Sequence, residues 1–175
     1  MLIVSPVQCL ASSQVGFAAS NDCGQVFVAS WTENKAHLKN TGERPCEQSY
    51  SHVSFAASGQ SVLCTRLMQR DSLVLDAFSD NPPTTRFEHE LAAMGNAAMS
   101  EGVWGVLEYG DLTVWDARAA KPLVVRMAAN RFGAGDIFYC IDACDNHVAL
   151  GGAARIVFRV DKRKWVRNTP DSGKH

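Results

Sequence analysis

One pattern governs what this chain can become: four short apolar segments, parted by turn residues, that come round four times. The plainest copy is the third, where LAAMGNAAMSEG is followed by VWGVLEY, by DLTVWDAR after Gly110, and by LVVRM beyond Lys121 and Pro122. In VWGVLEY, Val103, Gly105 and Leu107 alternate with Trp104, Val106 and Glu108, the two-residue period of a strand. The last copy reads IFYCIDACDN, HVALGGAA, RIVFRVDKR, WVRN, so VDKR stands where WDAR stood. The first reads VQCLASSQ, VGFAASNDCG, QVFVASW, AHLKN, and the second HVSFAASGQ, SVLCTRLMQRD, SLVLDAF, TTRFEHE. Taking Trp115 as the mark, its equivalents are Ala29, Leu75 and Val160, spaced 46, 40 and 45 residues apart.

Two features compete with this phasing. FAAS occurs at 17–20 and 55–58, yet the four-segment pattern puts the first in the second strand of its copy and the second in the innermost strand of the next. FEHELAAMGNAAM, 87–99, contains good helix formers, but Gly95 and Asn96 interrupt it and it fills a slot that strands fill elsewhere. Strand is the expectation there.

A single four-stranded sheet cannot bury both of its faces, whereas sheets stacked radially bury each against the next. The expected fold is all-β: β-propeller blades of four antiparallel strands, about four of them, forming a partial or half propeller. The blades are expected at about 6–39, 50–89, 91–128 and 136–169, with a tail at 170–175, in one domain over 1–175. Small residues (Ala11, Ala56, Ala57, Ala92, Ala93, Ala98, Ala143) suit innermost strands crowded round a channel. Phe27, Leu73, Trp104, Trp115 and Phe158 suit the wider gaps between blades.

Residues 110–118 and 155–163, with echoes at 23–30 and 72–76, resemble the WD-repeat β-propeller family. The marks of the resemblance are Gly110, Trp115, Asp116, Arg118 and Asp161. NHVALGGAARIVFRVDKR is also similar to a blade of the spindle-checkpoint and mRNA-export branch, and FYCIDA with NHVALGG to nuclear-pore WD-repeat subunits. The family's Gly-His dipeptide occurs in no copy, which predicts that its buried Asp-His-Ser-Trp network is incomplete. Family propellers usually have seven blades, so four imply either a part of a larger ring, a half that pairs, or a small closed ring. The resemblance implies a docking surface.

Charge is uneven along the chain. Residues 1–154 hold 10 Lys and Arg against 16 Asp and Glu, a net of −6, and residues 155–175 hold 7 against 2, a net of +5. The start lacks a basic segment before its short apolar run, and no stretch nears the ~18 apolar residues of a membrane span. Six Cys with no CxxC pair read as reduced thiols, so the expected setting is intracellular, cytoplasmic or nuclear.

The sequence contains no phosphate loop, no G-x-S-x-G elbow and no HxxxH or HxH pair. The expectation is a non-enzyme without cofactor or metal, a scaffold presenting rim loops to partner proteins. Those partners include a second propeller half or a second copy of the chain. The longest loops are 40–49, with Arg44, and 129–135, with Arg131 beside Phe132, residue types that dominate interface hot spots. The alternative is contact with RNA or another nucleic acid through Arg155, Arg159, Lys162, Arg163 and Lys164, which would be steeply salt-dependent.

Overall fold

In a computed structural model, the described residues are 6–33, 36–39, 50–79, 81, 83–100, 102–128, 138–144, 147–152 and 157–161. They form four antiparallel sheets with strands in chain order. The first joins β1 (Val7–Ser12), β2 (Gly16–Asn21), β3 (Val26–Ser30) and β4 (Ala36–Leu38). The second joins β5 (Tyr50–Phe55), β6 (Ser61–Arg66), β7 (Asp71–Asp76) and β8 (Thr85–Glu88). The third joins β9 (Ala93–Ser100), β10 (Val103–Glu108), β11 (Asp111–Asp116) and β12 (Leu123–Met127). The fourth joins β13 (Phe138–Cys144), β14 (His147–Gly152) and β15 (Val157–Asp161). No helix forms at 87–99, where β8 ends at Glu88 and β9 begins at Ala93; the first FAAS lies in β2, and of the second only Phe55 lies in β5. WVRN lies outside the described residues.

Register pairs the repeat marks as the alternation requires: Trp115 faces Trp104, Leu75 faces Val62, Ala29 faces Phe17 and Val160 faces Val148. One shared device is invisible in the amino acids. Every innermost strand has a break in register near its start, at Gln8, Ser51, Met94 and Tyr139. Such an extra residue bends a strand and increases its twist, as strands converging on an axis need.

The sheets stack as blades, and three apolar layers lie between them. Ala18, Val26 and Val28 of the first blade meet Val53, Val62, Leu73 and Leu75 of the second. Leu63, Val74 and Phe87 of the second meet Trp104, Val106 and Trp115 of the third. Leu107, Leu112 and Val114 of the third meet Phe138, Val148 and Leu150 of the fourth. Leu73, Trp104 and Trp115 thus fill inter-blade gaps as expected. Phe27 does not: it points away from the second blade and is only half-buried. The side chain of Phe158 is outside the described residues.

Polar contacts lock neighbouring blades together. Cys9 Sγ accepts from the amide of Val53 at 3.5 Å, and the buried ammonium of Lys39 donates to the carbonyls of Ala77, at 3.2 Å, and Ser79. The innermost strands β1, β5, β9 and β13 line an open cavity of about 410 Å³. Ala11, Ala98 and Ala143 line it, and Ala56 and Ala57 line an adjoining space of about 320 Å³.

Candidate functional site

Among the described residues, three places hold more than packing. The first is a chain of buried polar groups between the second and third blades. Trp115 donates its indole N–H to Thr113 Oγ1 at 2.8 Å, and Thr113 donates to Glu108 Oε1 at 2.7 Å. His89 Nδ1 stands 3.3 Å from the same oxygen, and its Nε2 shares a 2.8 Å hydrogen bond with Ser72. Ser72 and Thr65 share another at 2.9 Å, Asn96 Nδ2 donates to Thr65 at 2.5 Å, and Ser54 donates to Asn96 at 2.6 Å. The His89 ring meets Trp115 edge-on at 5.1 Å, and Phe87 stacks on that indole at 5.1 Å.

The network expected to be incomplete has its four kinds of group here, although the imidazole Nδ1 makes no hydrogen bond. Carboxylate, imidazole, hydroxyl and indole are all present, with Glu108 for the aspartate, Thr113 for the serine, and a histidine preceded by Glu88 instead of glycine. Burial alone would raise the Glu108 carboxyl. The His89 imidazole beside it and hydrogen bonds from Thr113 and the Leu91 amide outweigh it and hold the group below the ordinary glutamate range. Arg126 adds a 2.7 Å bond to Glu108 Oε2 from the outermost strand. Through His89 the network ties β10, β11 and β12 to β5, β6, β7 and β9, and Glu108, His89, Ser72, Thr65 and Thr113 are buried.

The WDAR segment divides its roles. Trp115 points inward, whereas the exposed Arg118 folds back on Asp116, donating from Nε at 2.8 Å and Nη2 at 2.9 Å. That guanidinium holds the Asp116 carboxyl below its usual range. Gly110, with φ 97°, closes the two-residue turn of β10 and β11.

The second place is the outward face of the first blade. Leu10, Phe17, Ala19 and Phe27 are register equivalents of Val53, Val62, Cys64 and Leu73 in the second blade and of Asn96, Trp104, Val106 and Thr113 in the third. All eight equivalents are buried. In the first blade, Leu10 is 66% exposed and the other three are half-buried, with Trp31 58% and Leu38 50% exposed beside them. Phe17 and Trp31 lie ring against ring at 5.5 Å. This is the chemistry of an inter-blade layer that no described residue covers.

The third place is the rim formed by the β6–β7 and β10–β11 turns, where Leu67, Met68 and Tyr109 are exposed. Sequence reasoning passed over these residues, although TRLMQRD shows its signal: two large apolar residues where a turn normally holds small or polar ones. Of the interaction residues expected from sequence, Arg44, Arg131, Phe132, Arg155, Lys162, Arg163 and Lys164 lie outside the described residues. Arg159 and Asp161 are placed by backbone in β15, Arg159 opposite Ala149 and Asp161 opposite His147. Among the described residues, no three His, Cys, Asp or Glu gather as metal ligands, and no helix is long and apolar enough to cross a membrane.

No family model matches the sequence, and no curated protein matches it. Solved structures do match. The chain is similar to "Structure of U3-55K" at 13% identity, covering 90% of this chain and 52% of that one, with a TM-score of 0.66. It is similar to the RRP9 WD40 repeats at 12% identity, covering 90% and 52%, with a TM-score of 0.67. It is similar to the β-propeller domain of Cps50 (Swd1) from Myceliophteria thermophila at 10% identity, covering 93% and 54%, with a TM-score of 0.71. The chain has the WD40 β-propeller fold in divergent form, and it spans about half the length of these relatives.

Proposed function

We propose that this chain is a non-catalytic scaffold that docks partner proteins, and that its arc of blades is itself completed by docking. The observation that carries the reading is the outward face of the first blade. Apolar patches of this kind on a soluble surface mark interaction sites, and the same register positions are buried wherever a neighbouring blade is present. The fitting partner is the face of another blade, whether of a longer chain, of a second propeller half or of a second copy. The rim loops with Arg44, Arg131 and Phe132 would then present further partners. Support for a non-catalytic role comes from the burial of His89, Ser72, Thr65 and Thr113 in a structural network. Fold alone does not dictate function, so the face and not the fold is the argument. The nucleic-acid reading, through Arg155 to Lys164, gains no observation from the described residues.

Light scattering on the purified chain tests the proposal. The expected result is a mass that rises with concentration above 19.0 kDa, toward twice that value. Leu10→Ser and Phe27→Ser should lower it again. A cooperative 19.0 kDa species at every concentration, unmoved by either substitution, would refute completion by docking.

A further inference from the structure

Among the described residues, two that are not glycine have left-handed backbones, Met68 at φ 61° and Tyr109 at φ 43°. Bulky side chains strongly disfavour this conformation, which glycine adopts freely. Glycine takes such positions elsewhere in these turns, Gly24 at φ 71° in the first blade and Gly110 at φ 97° next to Tyr109. The second and third blades therefore put a large side chain where the backbone asks for none, and neither repays the fold by packing: Met68 is 53% and Tyr109 54% exposed.

The two turns are also brought together. The amide of Met68 donates to the carbonyl of Ala93 at 2.9 Å, and that of Tyr109 donates to the carbonyl of Ala92 at 2.9 Å. Successive carbonyls of an extended segment point to opposite sides, so the two turns flank one dipeptide at about two strand spacings, roughly 10 Å apart. Leu67 adds a third exposed apolar side chain beside Met68. The same β6–β7 turn contributes Gln69 and Arg70 to a cleft of about 390 Å³, completed by Arg66, Asp71, Arg86, Glu88 and His89. Three guanidiniums there meet two carboxylates, and Asp71 is already engaged by both Arg66 and Arg86. The lining of this shallow cleft carries one more guanidinium than carboxylates.

We propose that Leu67, Met68 and Tyr109, with the arginine-bearing cleft beside them, dock an extended partner peptide that sets a large apolar side chain between the two turns and a carboxylate on the cleft. This rests on the reading of the chain as a scaffold and names its partner's chemistry. Tyrosine and arginine are enriched at interface hot spots, and a flexible methionine adapts to the apolar side chain it receives. The left-handed turns hold Met68 and Tyr109 out from the rim, so strain in the free protein serves presentation.

A displayed library of random 12-residue peptides, selected on the whole chain, tests this. Recovered peptides should combine Leu, Phe, Met or Trp with a nearby Asp or Glu. By fluorescence polarisation, the double variant Met68→Gly, Tyr109→Gly should bind them at least tenfold more weakly while its Tm does not fall, since glycine suits both turns. Arg70→Glu should weaken binding at least fivefold, and Leu10→Ser should change it less than twofold. An empty selection, recovery of basic peptides, or full affinity in the double glycine variant overturns the proposal. Loss of binding only in Leu10→Ser overturns it too, while leaving the scaffold reading intact.

Discussion

Removal of the Glu108 carboxylate should damage this fold more than any other single polar change. The group is completely buried and receives Thr113 at 2.7 Å, Arg126 at 2.7 Å and the Leu91 amide at 3.3 Å, with His89 alongside. A hydrogen bond to a charged group contributes about 1.5–3 kcal/mol net. Because Arg126 is partly exposed and can turn to water, the three bonds do not add in full. Glu108→Ala should cost about 3–5 kcal/mol, the range for breaking a buried ion pair, or on the order of 6–20 °C in Tm for a domain of this size. Glu108→Gln keeps the shape and one acceptor and should cost about 1–3 kcal/mol. The folded carboxyl releases its proton more readily than the unfolded one, so its stabilisation is complete above the ordinary glutamate value of 4.5 and fades as pH falls through the lower folded value. Urea titrations of parent and Glu108→Gln, followed by tryptophan fluorescence from pH 7 down to about 3, should therefore converge below about pH 4.5. A loss below about 1 kcal/mol in Glu108→Ala, or a gap between parent and Glu108→Gln that stays constant with pH, would refute the account of the network.

Other substitutions probe separate parts of the molecule. Gly59 has φ 72°, and a Cβ there would clash with Val15 Cγ2, so Gly59→Ala should lose about 1–3 kcal/mol in thermal melts. Adding Val15→Ala should relieve the clash but not the backbone strain. Trp104→Ala should cost about 3–5 kcal/mol by urea unfolding, whereas the exposed Trp31→Ala should cost under about 1 kcal/mol. Equal losses would mean that the first blade's outward face is covered. Lys39→Met leaves the carbonyls of Ala77 and Ser79 without that donor and should cost about 1–3 kcal/mol, and an unchanged urea midpoint would show that the link between blades is dispensable.

Strands and blade phase were legible because alternation with a two-residue period survives even where the signature residues have gone, as in QVFVAS and SLVLDA. The polar network was not, because its members come from separate segments with substituted identities. His89 ends one blade, whereas Glu108, Thr113 and Trp115 belong to the next, and only packing brings them together. Phe27 shares its face with gap-filling positions but stands uncovered, because periodicity says which side chains share a face, not whether a neighbour covers it. Met68 and Tyr109 escaped notice because turn propensity has no pattern for a large residue held against its own backbone preference.

Among the described residues, three apolar layers join successive blades and share no residue. Opening should therefore spread by position in the stack, not by the intrinsic strength of each sheet. In hydrogen–deuterium exchange, the central amides of β6 and β10, sheltered on both faces, should outlast those of β2, whose sheet has one face in water. A molecule bound to the first blade's outward face would reverse that ranking, slowing β2 without being seen directly.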